Sequence, residues 1–243
     1  MGPKKGRKFS YADHKTKRYR KRWIVLGILV FFLLYISFTS LFFSMRVMEN
    51  NTMAGNLRQG ERFIFSSFDV YSIVPWLDLE KGTLPFRRGN VVLVEMFREK
   101  KPGSLLRVFD GILRFFTAQK FSITEQRENL YVKRVIGLPG DEITMSNFVI
   151  RVKARGSAYS LTEFEVSDCD YTPDIPQTSA LWDFSLPFSG NMDKMVLKEN
   201  ECFVLSDDRS NTNDSRTWGP VPVKSVTGKA LFRYWPFSRI GRL

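Results

Sequence analysis

Beyond residue 60 the hydrophobic pattern of the chain is mostly that of strands. The stretches 62–74 (RFIFSSFDVYSIV), 90–97 (NVVLVEMF), 129–137 (NLYVKRVIG), 142–152 (EITMSNFVIRV), 195–207 (MVLKENECFVLSD) and 228–235 (GKALFRYW) are β-branched and aromatic. Gly, Pro, Asn or Asp often bounds them, as at strand ends. One stretch differs. In 103–120 (GSLLRVFDGILRFFTAQK), Leu105, Leu106, Phe109, Ile112, Leu113 and Phe116 recur at helical spacing with Arg107, Asp110 and Arg114 between them. Such a helix packs on the sheet or lies on a membrane surface, and packing is the default for an amphipathic helix. Between 153 and 194 the periodicity fades into Ser, Pro and Asp, which predicts a loop-rich insertion within a mostly β body.

Ahead of the strands stands an apolar run, WIVLGILVFFLLYISFTSLFF, from Trp23 to Phe43 without a charge. At ~1.5 Å per residue it reaches across a ~30 Å hydrocarbon layer. It exceeds the ~7–15 apolar residues of a cleavable signal, and no small-x-small site follows it. The pattern therefore predicts one transmembrane helix over 23–45, a cytoplasmic tail over 1–22, and an exported domain over 46–243. Positive charge before the span sets that orientation.

Charge at first suggests a different partner. The chain of 243 residues carries a formal +12. Residues 1–22, however, hold ten Lys/Arg against one Asp, leaving 27 basic and 24 acidic groups for the rest. A basic tail on a nearly neutral body does not describe a nucleic-acid-binding body, and no nucleic acid is expected as partner. The two cysteines, Cys169 and Cys202, could pair outside the cell, but nothing in the sequence brings them together, and Cys202 equally suits a buried strand.

The single histidine, His14, lies in the tail. With that topology it cannot serve a site in the exported body, which excludes a Ser-His-Asp mechanism and a His-ligated zinc there. Glycine-rich phosphate loops and dinucleotide fingerprints are absent, and no cofactor or metal is expected. A hydrolase built on this body needs a carboxylate or a lysine as base. Lys133 stands in an apolar strand before the turn Pro139-Gly140-Asp141, where desolvation would lower its pKa. A lysine at a strand edge, with its head in water, explains the same local pattern equally well.

Two further stretches favour the buried reading. ENNTMAGNLRQGERFIF (49–65) presents the Thr52 hydroxyl soon after the anchor, and VLSDDRSNTNDSRTWGPVPV (204–223) is a polar loop between strands.

With these in place the chain resembles the bacterial type I signal peptidases, membrane proteases that use a Ser/Lys dyad. YVKRVIGLPGD (131–141) matches that family's lysine motif. SDDRSNTNDSRTWGPVP (206–222) matches its late G-D-N-R-x-x-S-x-D-S-R-x-x-G motif, and RRGNVVLV (87–94) resembles its R-G-D-[IV]-V strand with Asn90 for Asp. The departures fall at the centre. Where the family has S-M-x-P-T-L-x-x-G-[DE], this chain has Thr52-Met53-Ala54-Gly55-Asn56-Leu57-Arg58-Gln59-Gly60-Glu61, and Ser206, Asp208 and Thr212 replace the late motif's Gly, Asn and Ser.

The resemblance implies an antiparallel β-sheet catalytic domain outside the cytoplasmic membrane. Thr52 would be nucleophile and Lys133 general base. Thr212 and Ser206 fall among the orienting groups, with Thr212 at the position that orients the lysine amine. Asn50 would supply a side-chain donor to the oxyanion, and Asp214 and Arg216 a structural ion pair. The partners implied are the signal peptides of exported preproteins and membrane lipid. A non-catalytic paralogue that binds exported segments is the alternative, because Thr carries a methyl group that Ser lacks.

Overall fold

A computed structural model describes residues 11–68, 84–96, 130–176 and 190–243, with isolated positions between 103 and 123. The helix expected at 103–120 lies largely outside the described residues, as does the second half of the strand expected at 62–74. Helix α1 (Tyr11–Phe42) leads directly into β1 (Phe43–Val47). Side chains of α1 are described for 18–36 and Phe42. Among the described residues, no helix is long and apolar enough to cross a membrane.

The remainder is mostly antiparallel β. The larger sheet contains β1, β2 (Arg62–Ser67), β3 (Val91–Glu95), β4 (Leu130–Gly137), β9 (Glu201–Leu205), β10 (Val221–Pro222), β11 (Val226–Trp235) and β12 (Gly241–Arg242). Its order is β1-β2-β11-β3-β4-β9-β10, with β12 on β11. A smaller sheet of order β7-β6-β5-β8 comprises β5 (Glu142–Ser146), β6 (Val149–Lys153), β7 (Leu161–Thr162) and β8 (Met192–Val196).

Two stretches expected as single strands are each divided. The 142–152 segment is a hairpin, β5 to β6, turning at Asn147 and Phe148, whose φ values are 51° and 64°. A left-handed Phe is unusual. Its ring is buried against the Cα of Gly190, and its carbonyl accepts from Arg209 Nη1 at 2.8 Å, so packing offsets the local cost. The 195–207 segment divides into β8, in the small sheet, and β9, in the large one, around the turn at 197–200.

Alternation along β3 and β4 gives the large sheet two apolar faces. Val91 and Leu93 join Met48, Met53, Leu57, Phe63 and Phe65 on one side. Val92 and Val94 join Val135, Val204 and Cys202 on the other. Ile136, Phe203 and Leu205 meet Ile143, Ile150 and Val152 of the small sheet. Cys202 is buried, with its Sγ 3.4 Å from the Val221 carbonyl oxygen; both cysteines are free thiols.

Candidate active site

Lys133 sits in the middle of β4, opposite Val92 of β3. The period of two puts Val135 on the same face as Lys133. Lys133 is fully buried; its Nζ donates to Ser206 Oγ at 2.8 Å and lies 5.6 Å from the centre of the Trp218 ring. Burial pulls its pKa down to about 8; the Asp214 charge opposes that lowering and the Arg216 charge adds to it. Its neighbour Arg134 has different partners. The Arg134 guanidinium grips Asp207 through Nε (2.7 Å) and Nη2 (2.5 Å), donates to the Gly89 carbonyl, and stacks 4.1 Å from the Tyr171 ring centre.

Thr52 lies in the loop joining β1 to β2. Bonds from Met48 N to the Glu61 carbonyl and from Gly60 N to the Met48 carbonyl, both 2.8 Å, close that loop. Met53 and Leu57, both fully buried, pin it in the cluster against which Leu130 and Val132 of β4 pack. Glu61, at its end, is held by Arg233 and Arg239 from the C-terminal part of the chain. Thr52 itself is nearly buried. Its hydroxyl donates to Asn50 Oδ1 at 2.8 Å, and its N–H points at the same oxygen at 3.4 Å. The Thr52 carbonyl accepts from Asp208 N at 3.1 Å, which joins the loop to the polar segment after β9.

The structure therefore brings Thr52 and Lys133 to one loop, 206–208, from two sides. Among the described residues no hydrogen bond joins the two, and each engages another side chain instead.

That polar loop is rigid for identifiable reasons. Asp214 caps α2 (Ser215–Trp218), accepting from Arg216 N at 3.1 Å, and pairs with the Arg216 guanidinium. It also accepts from Ser206 N at 2.9 Å. Burial pushes the Asp214 carboxyl up, but the hydrogen bonds and charge of Arg216 hold it below the ordinary carboxylate range. The short helix in turn delivers Trp218 to the lysine and to Tyr131, whose ring centre is 4.9 Å away. Thr212 is placed differently from Ser206: its carbonyl accepts from Asp214 N and Thr217 Oγ1, and its hydroxyl makes no hydrogen bond among the described residues.

Part of the site was not anticipated. The segment 171–174, within the stretch read as an insertion, runs beside both the Thr52 loop and the polar loop. Asp174 N donates to the Asp207 carbonyl and Arg209 N to the Asp174 carbonyl, each at 2.8 Å. Asn56 Nδ2 donates to the Thr172 carbonyl and to Asp207 Oδ2, both at 2.9 Å. This explains Gly55-Asn56 where the resembling motif has Pro-Thr. Gly55 has φ 93°, which proline cannot adopt, and a Cβ there would stand 2.8 Å from the Thr172 oxygen. The departure in the motif was the available signal; its partner lies 116 residues away and was not readable.

Behind this segment, Glu163 forms a buried ion pair with Arg209, accepts from Tyr171 Oη at 2.6 Å, and accepts from Ile150 N at 3.0 Å. Glu163→Ala leaves the fully buried Arg209 charge uncompensated, and a loss of about 3–5 kcal/mol is expected from equilibrium urea unfolding. A change under 1 kcal/mol would show that the pair does not fasten this segment.

Arg88 and Asp141 join the other two motifs. Arg88 binds Asp141 through Nε and Nη2, and Asp141 accepts from Leu138 N at 2.8 Å, which fixes the turn that ends the lysine strand. Asn90 Oδ1 accepts from Arg87 N at 2.9 Å, so the Asn that replaces Asp keeps a turn-closing acceptor. Among the described residues, no cluster of His, Cys, Asp and Glu could hold a metal ion.

The sequence that builds this site has counterparts among known proteins. The family model of signal peptidase, peptidase S26, matches residues 20–235, and the chain belongs to that family. It is 31% identical over 129 residues to signal peptidase I of Streptococcus pneumoniae, covering 45% of this chain and 63% of that protein. It is 34% identical over 110 residues to signal peptidase IB of Staphylococcus aureus, covering 44% and 54%. A probable thylakoidal processing peptidase 2 of Arabidopsis thaliana is 40% identical over 76 residues, 31% of this chain and 21% of that protein. The matched regions thus span between about a fifth and three-fifths of these relatives.

Proposed function

We propose that the chain is a membrane-anchored signal peptidase I, which cleaves signal peptides from exported preproteins with Thr52 as nucleophile and Lys133 as general base. The observation that carries this reading is Lys133. It is fully buried on an apolar strand face and bound by a hydroxyl rather than a carboxylate, with a pKa of about 8. A buried ammonium is costly, and a carboxylate partner would have kept it charged. A hydroxyl partner leaves it able to lose its proton near neutral pH and accept one from a nucleophile.

Attack needs two side-chain movements. The Thr52 hydroxyl must turn from Asn50 toward the lysine amine. The Asn50 carboxamide must turn its Nδ2 inward, beside the Thr52 N–H, to meet the oxyanion. Substrate has a place to dock. β4 pairs with β3 along 130–134, whereas β9 pairs with it only from Arg134 onward. Among the described residues, Leu130–Val132 has no strand on that second side, and an extended peptide can add there. Turnover of a preprotein by the purified chain tests the reading. Processing at the signal-peptide junction is expected, and none under conditions where a control signal peptidase cuts would overturn it.

The anchor and orientation belong to the same proposal. Trp23, Ile24, Val25 and Leu26, successive positions about 100° apart around α1, are all exposed, so the helix is apolar around its circumference, as a helix in lipid is. Phe43, Met45 and Val47 of β1 continue that exposed apolar surface onto the sheet, and Trp235, in register with Arg62 beside Val47, extends it. Protease added outside right-side-out vesicles is expected to digest residues after about 46 and spare the tail. A protected C-terminal body would refute the orientation.

One observation favours the second reading, a binding paralogue: the Thr52 hydroxyl is bonded to Asn50 and not to Lys133. Such a chain would hold preprotein without cutting it.

A further inference from the structure

The register of β4 and β9 decides what stands beside the lysine. Arg134 pairs with Leu205 and Val135 with Val204. Extended by one residue past the end of that ladder, the register sets Ser206 opposite Lys133, and opposed residues project on the same face with Cβ atoms ~4.5–5.5 Å apart. Any side chain at position 206 consequently meets Lys133. The backbone of Ser206 is held at both ends, its N–H by Asp214 Oδ2 (2.9 Å) and its carbonyl by Arg209 Nε (3.1 Å). Its Oγ accepts the one hydrogen bond that the lysine amine makes among the described residues, at 2.8 Å. Ser206 is wholly buried, so no peptide carbonyl reaches its hydroxyl.

We propose that Ser206, at a position where the resembling motif has glycine, is the residue that positions the Lys133 amine, in place of Thr212. The proposal rests on the reading of Lys133 as the base. A neutral amine has one lone pair, and rotation about Cε–Nζ sends it in any of several directions. With the lysine on the face it shares with Val92 and Val135 and its head near the Trp218 ring, one N–H fixed on Ser206 Oγ removes that freedom and leaves the lone pair to face another group. Thr212 follows Ser206 by six positions and lies outside the β4/β9 pairing, and among the described residues no hydrogen bond joins its hydroxyl to the amine. The charged groups acting on the amine are Asp214, Arg216, Asp207 and Asp208, all from the polar loop; β3 offers it Val92, and α2 the Trp218 ring.

Titration of the full chain in detergent micelles, with 13C-labelled lysine followed by NMR and Lys133 assigned through Lys133→Arg, separates the two hydroxyls. Ser206→Ala removes an acceptor that favours the charged amine, so the Lys133 midpoint is expected to fall by about one pH unit. Ser206→Gly, the motif's own residue, should do the same and serves if the alanine variant folds poorly. Thr212→Ala should leave the midpoint unchanged. In cleavage assays the Ser206 variants should lose on the order of 10–100-fold in kcat with KM little changed, and their alkaline limb should follow the lowered midpoint.

An unmoved midpoint in both Ser206 variants, or an equal shift in Thr212→Ala, would overturn the assignment. The titration does not need an active enzyme. Absence of cleavage by the wild type would count against the proposed function, and the response of Lys133 would still decide the role of Ser206.

Discussion

Lys133→Ala and Lys133→Arg are expected to abolish preprotein cleavage, and the unaltered chain is expected to give a rate that climbs with pH through about 8 to a plateau. An alanine has no base. An arginine has one that stays protonated at every accessible pH. The loss expected in kcat is at least ~10³-fold, since general base and nucleophile activation fail together. A stopped assay across pH 6–10 reads both features. Near-normal turnover by a folded Lys133→Ala chain would eliminate the dyad.

The same burial has a consequence for stability, and its sign can be worked out. The folded-state pKa of Lys133 is lowered to about 8 from an ordinary 10.5. Between those values the unfolded chain binds the proton and the folded chain does not, so stability rises with pH across that window. Below about 8 both states are protonated and the penalty of a buried ammonium is fully present. Lys133→Met should therefore stabilise the fold at pH 7, by on the order of 2–3 kcal/mol, and lose that advantage toward pH 10.5. Loss of function would then accompany a gain in stability, which distinguishes a functional lysine from a structural one.

How much of this was legible in the sequence follows from the range of each interaction. The burial of Lys133 could be read from Val132, Val135 and Ile136 around it, though a strand edge explained them equally until the polar loop was considered. The Asp214–Arg216 pair was implied only by the resemblance, through the positions these two residues occupy in the late motif. The partner of the lysine amine could not be read. It depends on the pairing of β4 with β9 across 73 positions, and no local pattern encodes that register. The segment 171–174 was hidden for a different reason. Its backbone groups are satisfied by loops and the Tyr171 hydroxyl by Glu163, so it carries neither the period of a strand nor that of a helix. The division of 142–152 was missed because the turn uses Asn147-Phe148, where a glycine would have announced a hairpin.

For Thr52, Thr52→Ala is expected to abolish cleavage, and Thr52→Ser to retain it or raise it as much as ~10²-fold. The two variants differ by the atom that attacks. Serine keeps Oγ and removes the methyl that stiffens χ1 and crowds the approach to a carbonyl. Here the restriction bears directly on the site, because the Thr52 hydroxyl rests on Asn50 Oδ1 at 2.8 Å and must rotate about χ1 to reach the lysine amine. In a nearly buried loop pinned by Met53 and Leu57, the threonine methyl must find room for that rotation, whereas serine needs none. Single-turnover rates on one preprotein, with a contaminating peptidase excluded, measure the series. No cleavage by threonine with measurable cleavage by Thr52→Ser would mean that base, loop and oxyanion donors remain assembled and that one methyl group holds the site off. Equal preprotein binding by all three forms with no cleavage by any would establish the binding paralogue. Undiminished cleavage by Thr52→Ala would remove Thr52 from the mechanism and leave Lys133 to be matched with another hydroxyl.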